Sequence, residues 1–280
     1  MSLPARLRSL LFAPAVRPDL VAKTARSEPD AVAIDLEDAT PIGSKDDARV
    51  ALPELVASVD GPAVLVRVND LDTPWFSADV GALPDAVDGV IVPKIERLEG
   101  LSMVVQTLTA AGRDDLPVVA GIETALGVAD ARPLLAHPRI GAAYFGAEDF
   151  IADMGGVRTS SNVEVAHARG AVALAGRLAG VPLLDQVVAD FRDDDRFARE
   201  AAEARAMGYA GKLCIHPGQV AAANAAWTPT DEEVDEARRL LAAYDDASAA
   251  GVAAIDFEGR MVDEPVAVQA RKVLALAEDR

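Results

Sequence analysis

The chain has 280 residues, 51% hydrophobic and 26% charged, so it can bury a sizeable core without disulfides and is excluded from the disordered class. Forty-five acidic residues stand against 27 basic ones, a net charge of -18, and no three Lys or Arg are adjacent. Neither nucleic acid nor a membrane is expected as a partner, since no apolar run reaches the roughly 18 residues of a membrane span.

Short, almost continuously apolar runs recur along the chain between Ala-rich stretches with helical spacing. In order they are RSLLFAPA from Arg8, AVAIDLED from Ala31, PAVLVRVN from Pro62, GVIVPKIE from Gly89, PVVAGIET from Pro117, IGAAYFGAED from Ile140, VPLLDQVV from Val181 and GKLCIHP from Gly211. The first of these, closed early by Pro14, Arg17, Pro18 and Asp19, reads as a strand and not as a signal peptide. Runs without polar alternation predict strands buried on both faces, and helix-length spacers predict parallel pairing through right-handed crossovers. Eight such units predict an α/β fold, a (β/α)8 TIM barrel, with a doubly wound open sheet as the alternative.

After the eighth run, Thr230 precedes Asp231, Glu232 and Glu233, a capping-box pattern opening an amphipathic helix with Val234, Ala237, Leu240, Leu241 and Tyr244 on one side. A short hairpin or loop, FEGRMV, then leads to Asp263 and a final helix from about Pro265. The expected organisation is a barrel domain over residues 1–228 and a C-terminal helical extension over 229–280 that carries Asp263. The lone Cys214 closes no internal disulfide and no Cys/His cluster has zinc spacing, so a reducing, cytoplasmic setting is the expectation.

The runs begin apolar and end polar, which in a barrel gathers their ends on one face. Glu123 and Asp149 are expected to close neighbouring strands, and two carboxylates with waters and a chelating substrate suit a catalytic Mg²⁺; helix capping or ion pairing is the competing role. In DLED, Asp35 and Glu37 should point one way, Leu36 and Asp38 the other. Arg67 in RVND could clamp a carboxylate with its planar fork or pair with a nearby acid. Lys94 has the same ambiguity; nothing in its surroundings marks it as a Schiff-base lysine. His216 reads as a base, a ligand or a structural hydrogen-bonding group, and Asp263 by default as a helix N-cap.

LLFAPAVRPD, DLEDA, VRVN, VPKIE, GIETALGV, FGAEDF, CIHPGQV and FEGRMVDEP follow one another from about Leu10 to about Lys272. In that order they resemble the citrate lyase β-subunit-like group of the HpcH/HpaI aldolase family, relatives of malyl-CoA and citramalyl-CoA lyases. The resemblance implies a (β/α)8 barrel with Glu123 and Asp149 as Mg²⁺ ligands, Arg67 on the carboxylate of a 2-oxo acid, and Glu37 and Asp38 around the metal's waters. Glu148 would orient the metal shell. Asp263 would be a catalytic carboxylate supplied from a neighbouring subunit, which implies a homo-oligomer, a trimer or a multiple of one. The implied reaction interconverts a 3-hydroxyacyl-CoA thioester with an acetyl-CoA-type thioester and a 2-oxo acid. Two alternatives are a citrate lyase β subunit acting on a carrier-protein thioester in a complex, and a non-catalytic acyl-CoA-binding protein.

Overall fold

The computed structural model describes residues 3–278. They form two compact units, divided between Asn224 and Ala225. In the first, β1 (Ser9–Pro14), β2 (Ala31–Asp35), β3 (Ala63–Arg67), β4 (Gly89–Val92), β5 (Val118–Ile122), β6 (Ile140–Phe145), β7 (Leu183–Asp185) and β8 (Gly211–Cys214) pair in sequence order and close β8 onto β1, all parallel. The connections carry α1 (Pro18–Val21), α2 (Lys45–Ala57), α3 (Phe76–Gly81), α4 (Leu98–Ala110), α5 (Ala125–Ala129), α6 (Ala131–Leu135), α7 (Ala147–Asp153), α8 (Ala166–Ala179) and α9 (Asp194–Met207), and α10 (Pro217–Ala226) follows β8. This is the closed (β/α)8 barrel, not the open sheet. Each of the eight apolar runs holds one strand; Asp35, Arg67 and Asp185 end β2, β3 and β7, while the rest of the polar tails pass into loops or, after β6, into α7.

The side-chain period of two sorts these residues. Leu10, Ala33, Leu65, Ile91, Val119, Tyr144, Leu184 and Leu213 fill the barrel's interior. Continuing the same parity by one step places Asp35 after Ala33, Arg67 after Leu65 and, two steps on from Val119, Glu123. Asp35 and Arg67 are also register partners at the ends of β2 and β3. The interior layers are thus apolar below and ionic at the C-terminal rim, where barrels of this kind carry their chemistry.

On the outer side β7 is only three residues long and pairs through two positions with each neighbour. There Asp185 receives Arg169 of α8 bidentately, at 2.7 and 2.9 Å, and Lys212 of β8 at 2.6 Å. Glu200 of α9 lies 3.6 Å from Lys212, and all four are buried.

The second unit has α11 (Asp231–Ala249), a hairpin of β9 (Ile255–Phe257) and β10 (Arg260–Val262), and α12 (Glu264–Glu278). The capping box is made: Thr230 accepts from the Glu233 amide, and Glu233 accepts from the Thr230 amide. Ala237, Leu240, Leu241 and Tyr244 pack with Phe257, Val262, Ala267 and Ala270 into this unit's own core. Among the described residues no helix is long and apolar enough to cross a membrane.

Candidate active site

A cavity of about 460 Å³ opens at the C-terminal rim, lined among others by Phe12, Asp35, Arg67, Glu123, Tyr144 and Asp149. Glu123 is the residue after β5, buried, and its Oε1 accepts the Lys94 amide at 2.9 Å. Burial, followed by the charges of Glu37 and Asp149, pushes its carboxyl up to about 8. Asp149 does not close a strand, as the sequence suggested. β6 stops at Phe145, Gly146 turns the chain, and Asp149 sits in the first turn of α7, half in solvent. A seven-residue helix, AEDFIAD, begins where the apolar run IGAAYF ends. Glu123 and Asp149 still line one cavity, because β5 and β6 are neighbours.

Gly146 is required by the approach of these two segments. A methyl group there would lie 2.3 Å from Glu123 Oε2 and 2.6 Å from its Cβ, so the whole carboxylate would have to move. Gly146→Ala is expected to leave the barrel folded at a cost of about 1–3 kcal/mol, while weakening whatever Glu123 binds by tenfold or more. Thermal unfolding beside divalent-ion calorimetry separates the two effects, and unaltered ion affinity would rule out the displacement.

Arg67 is held rather than free. Its Nε and Nη2 donate to Asp35 at 2.8 and 2.6 Å, and its Nη1 stands 3.1 Å from Glu37 Oε2, with the Phe12 ring 5.0 Å from the guanidinium. The fork expected for a substrate carboxylate is therefore closed on Asp35, and Nη1, the remaining donor group, already faces Glu37. Asp35 also accepts the amides of Glu37 and Ala39, which fixes the DLED turn. Asp35 and Glu37 share the Arg67 side and Leu36 is buried, as the alternation predicted, but Asp38, expected on the side of Leu36, faces the same cavity as Asp35 because β2 ends at Asp35 and the alternation stops there. Asp38 is exposed and lines the cavity.

Glu37 is buried; its Oε1 accepts Lys94 Nζ at 2.7 Å, and its Oε2 lacks a well-directed hydrogen bond. Burial draws the Lys94 ammonium down, but the hydrogen bond and charge of Glu37 outweigh this and hold it above its ordinary range, while burial pushes the Glu37 carboxyl up against the pull of Arg67 and Lys94. Lys94 is also 3.5 Å from Asp149 Oδ1. Its φ of +50° lies in the left-handed region, a conformation costing a non-glycine residue about 1 kcal/mol or more. The buried Tyr144 hydroxyl stands beside Glu123, and burial pushes it well above its ordinary value. Glu148 pairs with Arg158 at 2.9 Å and is turned to that partner. His216 stacks on Phe191, 4.8 Å between ring centres, and its Nδ1 accepts the Gly218 amide, the structural alternative for this residue. Asp263 lies in the second unit between β10 and α12; its carbonyl accepts the Val266 and Ala267 amides, while its carboxylate makes no hydrogen bond or ion pair among the described residues.

Asp35, Glu37, Glu123 and Asp149 carry four negative charges when ionised; Arg67 and Lys94 carry two positive ones. Within this inner set the excess of two matches one divalent cation. Among the described residues no three His, Cys, Asp or Glu close on one point. Glu123 and Asp149 offer two hard oxygen donors to one cavity, a chemistry that fits an ion keeping several waters, as Mg²⁺ does.

Residues 8–217 match the model of the family described as HpcH/HpaI aldolase/citrate lyase. A citrate lyase subunit beta-like protein of Deinococcus radiodurans is 47% identical over 279 residues, covering 97% of this chain and 98% of that one. An L-malyl-CoA/beta-methylmalyl-CoA lyase of Rhodobacter capsulatus is 34% identical over 307 aligned positions, covering 98% and 96%. Among solved structures, CitE of Mycobacterium tuberculosis in complex with magnesium, acetoacetate and coenzyme A superposes with a TM-score of 0.84 at 32% identity, over 98% of this chain and 99% of that one. Whole-length similarity on a shared barrel, with the family's match spanning all eight strands, leaves one assignment: the chain belongs to the HpcH/HpaI aldolase/citrate lyase family.

Proposed function

We propose that the chain is a Mg²⁺-dependent carbon-carbon lyase that interconverts a 3-hydroxyacyl-CoA thioester with an acetyl-CoA-type thioester and a 2-oxo acid. The observation that carries the reading is the rim cluster of four carboxylates and two cations, two charges short of neutrality, at the mouth of a cavity large enough for a small oxo acid. Glu123 and Asp149 would hold the metal, which when bound supplies Lewis-acid stabilisation of negative charge on the substrate's oxygen. Arg67, kept cationic by Asp35, faces the same space and would favour the oxo acid's carboxylate through Nη1. Glu37 and Asp38 would order water at the rim.

In the cleavage direction the hydroxyl gives up its proton to water at the rim, the β-carbon's oxygen becomes the oxo group as the bond between the α- and β-carbons breaks, and that bond's electron pair passes to the α-carbon, which takes up a proton. Asp263 is the carboxylate proposed to carry that proton, from a neighbouring subunit of a homo-oligomer such as a trimer. Among the described residues its carboxylate makes no hydrogen bond or ion pair. Free CoA as the carrier is supported by the similarity to a structure that holds coenzyme A and to a malyl-CoA lyase.

Incubating the protein with Mg²⁺ and a panel of 3-hydroxyacyl-CoA thioesters, read by mass spectrometry, should show at least one cleaved to an oxo acid. Turnover confined to carrier-protein thioesters would instead make the chain a citrate lyase subunit; no cleavage and no Mg²⁺ binding would leave an acyl-CoA-binding protein. Arg67→Lys keeps the charge but loses the two-point grip on Asp35, so KM for the oxo acid in the condensing direction should rise by about tenfold with Mg²⁺ affinity held within threefold. Equal KM in both proteins would remove Arg67 from substrate recognition.

A further inference from the structure

Lys94 touches three of the four carboxylates of the rim. Its amide donates to Glu123 Oε1 at 2.9 Å, its ammonium donates to Glu37 Oε1 at 2.7 Å, and the same nitrogen is 3.5 Å from Asp149 Oδ1. A main-chain donor and a side-chain cation of one residue thus reach one cluster, from a backbone held at φ +50°. Main-chain bonds fix one end of the residue while the charge fixes the other, the arrangement by which outer groups orient metal-binding carboxylates.

Glu37 shows why the cluster needs such a group. It is buried, its Oε2 stands 3.1 Å from Arg67 Nη1 without a well-directed hydrogen bond, and its Oε1 is held, among the described residues, only by Lys94. A hard divalent ion held by Glu123 and Asp149 would draw this third carboxylate toward itself, and an oxygen position needed by substrate would be lost. We propose that Lys94 is a positioning residue, its ammonium a built-in counter-cation that keeps Glu37 out of the metal's coordination sphere while its amide fixes the Glu123 carboxylate. This role rests on the metal-dependent reading above and extends it to a residue with no part in the chemistry itself. It also explains the charge balance: without Lys94 the four carboxylates face one cation, an excess of three.

Lys94→Gly is the informative variant, because glycine takes the left-handed backbone freely and keeps the amide to Glu123 while removing the side chain with its ammonium. Calorimetry with Mg²⁺ on the full-length protein should show about tenfold tighter binding than wild type, since one positive charge has left the ion's surroundings. Turnover should fall roughly a hundredfold. Adding Glu37→Gln to Lys94→Gly returns the excess to two, and Mg²⁺ affinity should come back to within about threefold of wild type. Lys94→Arg, which keeps the charge, should bind Mg²⁺ nearly as wild type does. If Lys94→Gly does not fold, Lys94→Met carries the same expectation. A residue that merely braces the rim gives the opposite sign: a folded Lys94→Gly or Lys94→Met with unchanged or weaker Mg²⁺ binding overturns the role while leaving the lyase reading standing. A wild-type protein that binds no divalent ion overturns the lyase reading and this role with it.

Discussion

Glu123→Gln is expected to abolish Mg²⁺ binding and to lower turnover by roughly 10³-fold or more, because the amide keeps the shape but lacks the charge of a hard-ion ligand. The same substitution has a second, opposite consequence for the metal-free protein. The Glu123 carboxyl is pushed from an ordinary 4.5 up to about 8, so between those values the folded chain holds a proton that the unfolded chain has released. Its contribution therefore falls as pH rises through that window, by about 5 kcal/mol for a shift of this size at a buried group. Urea unfolding without metal should find Gln and wild type similar near pH 5 and the Gln variant more stable at pH 9, with Mg²⁺ restoring stability only to wild type. A wild-type minus variant difference that does not change between pH 5 and pH 9 would show that Glu123 ionises freely, and a Gln variant that still binds Mg²⁺ would take it out of the site.

Asp263→Asn separates the two roles open to that residue. A helix N-cap tolerates Asn almost without loss, and here the carboxylate makes no side-chain bond to the first turn of α12 in any case. As the group that moves a proton at the thioester α-carbon, the same change should lower turnover by roughly 10²- to 10⁴-fold with unfolding and Mg²⁺ binding unaltered. Supply from a neighbouring subunit adds a stricter expectation. Mixed oligomers of Asp263→Asn and Glu123→Gln chains, each inactive alone, should regain part of the activity once subunits have exchanged. Full activity of Asp263→Asn would end the acid-base role; verified mixed oligomers without rescue would place any such role within one chain.

The eight strands were legible because burial on both faces leaves a run without polar alternation, as in AVAID and VVAGI. The strand ends were read too long for the same reason: a polar tail carries no signal of where the ladder stops, and Asp149 was assigned to a strand that had already ended at Phe145. Glu123, Arg67 and the DLED acids could be gathered on one rim from their positions after apolar runs. The partner each took could not. Asp35 capturing the fork of Arg67 depends on the alignment of β2 with β3, which no local pattern encodes. The left-handed backbone of Lys94 has no signature in a non-glycine residue, although its place after Val92 and Pro93, among acids, is visible in the sequence. Gly146 likewise reveals its purpose only through its distance from Glu123.

The ionic quartet outside β7 and β8 bears on how the barrel chooses its alignment during folding. With two paired positions on each side, β7 has too short a ladder to reject a slipped neighbour by backbone bonds alone. A shift of one residue in β8 would turn Lys212 into the apolar interior beside Leu10 and leave Asp185 and Arg169 facing Leu213, a buried charge without its partner on one side and a surplus anion on the other. A slip of two restores the parity but carries the ammonium more than 6 Å along the strand, beyond the reach of its carboxylate. Replacing the quartet by hydrocarbon of equal volume could leave the final barrel as stable as before, yet it would erase the feature that tells the closing seam which pairing is correct.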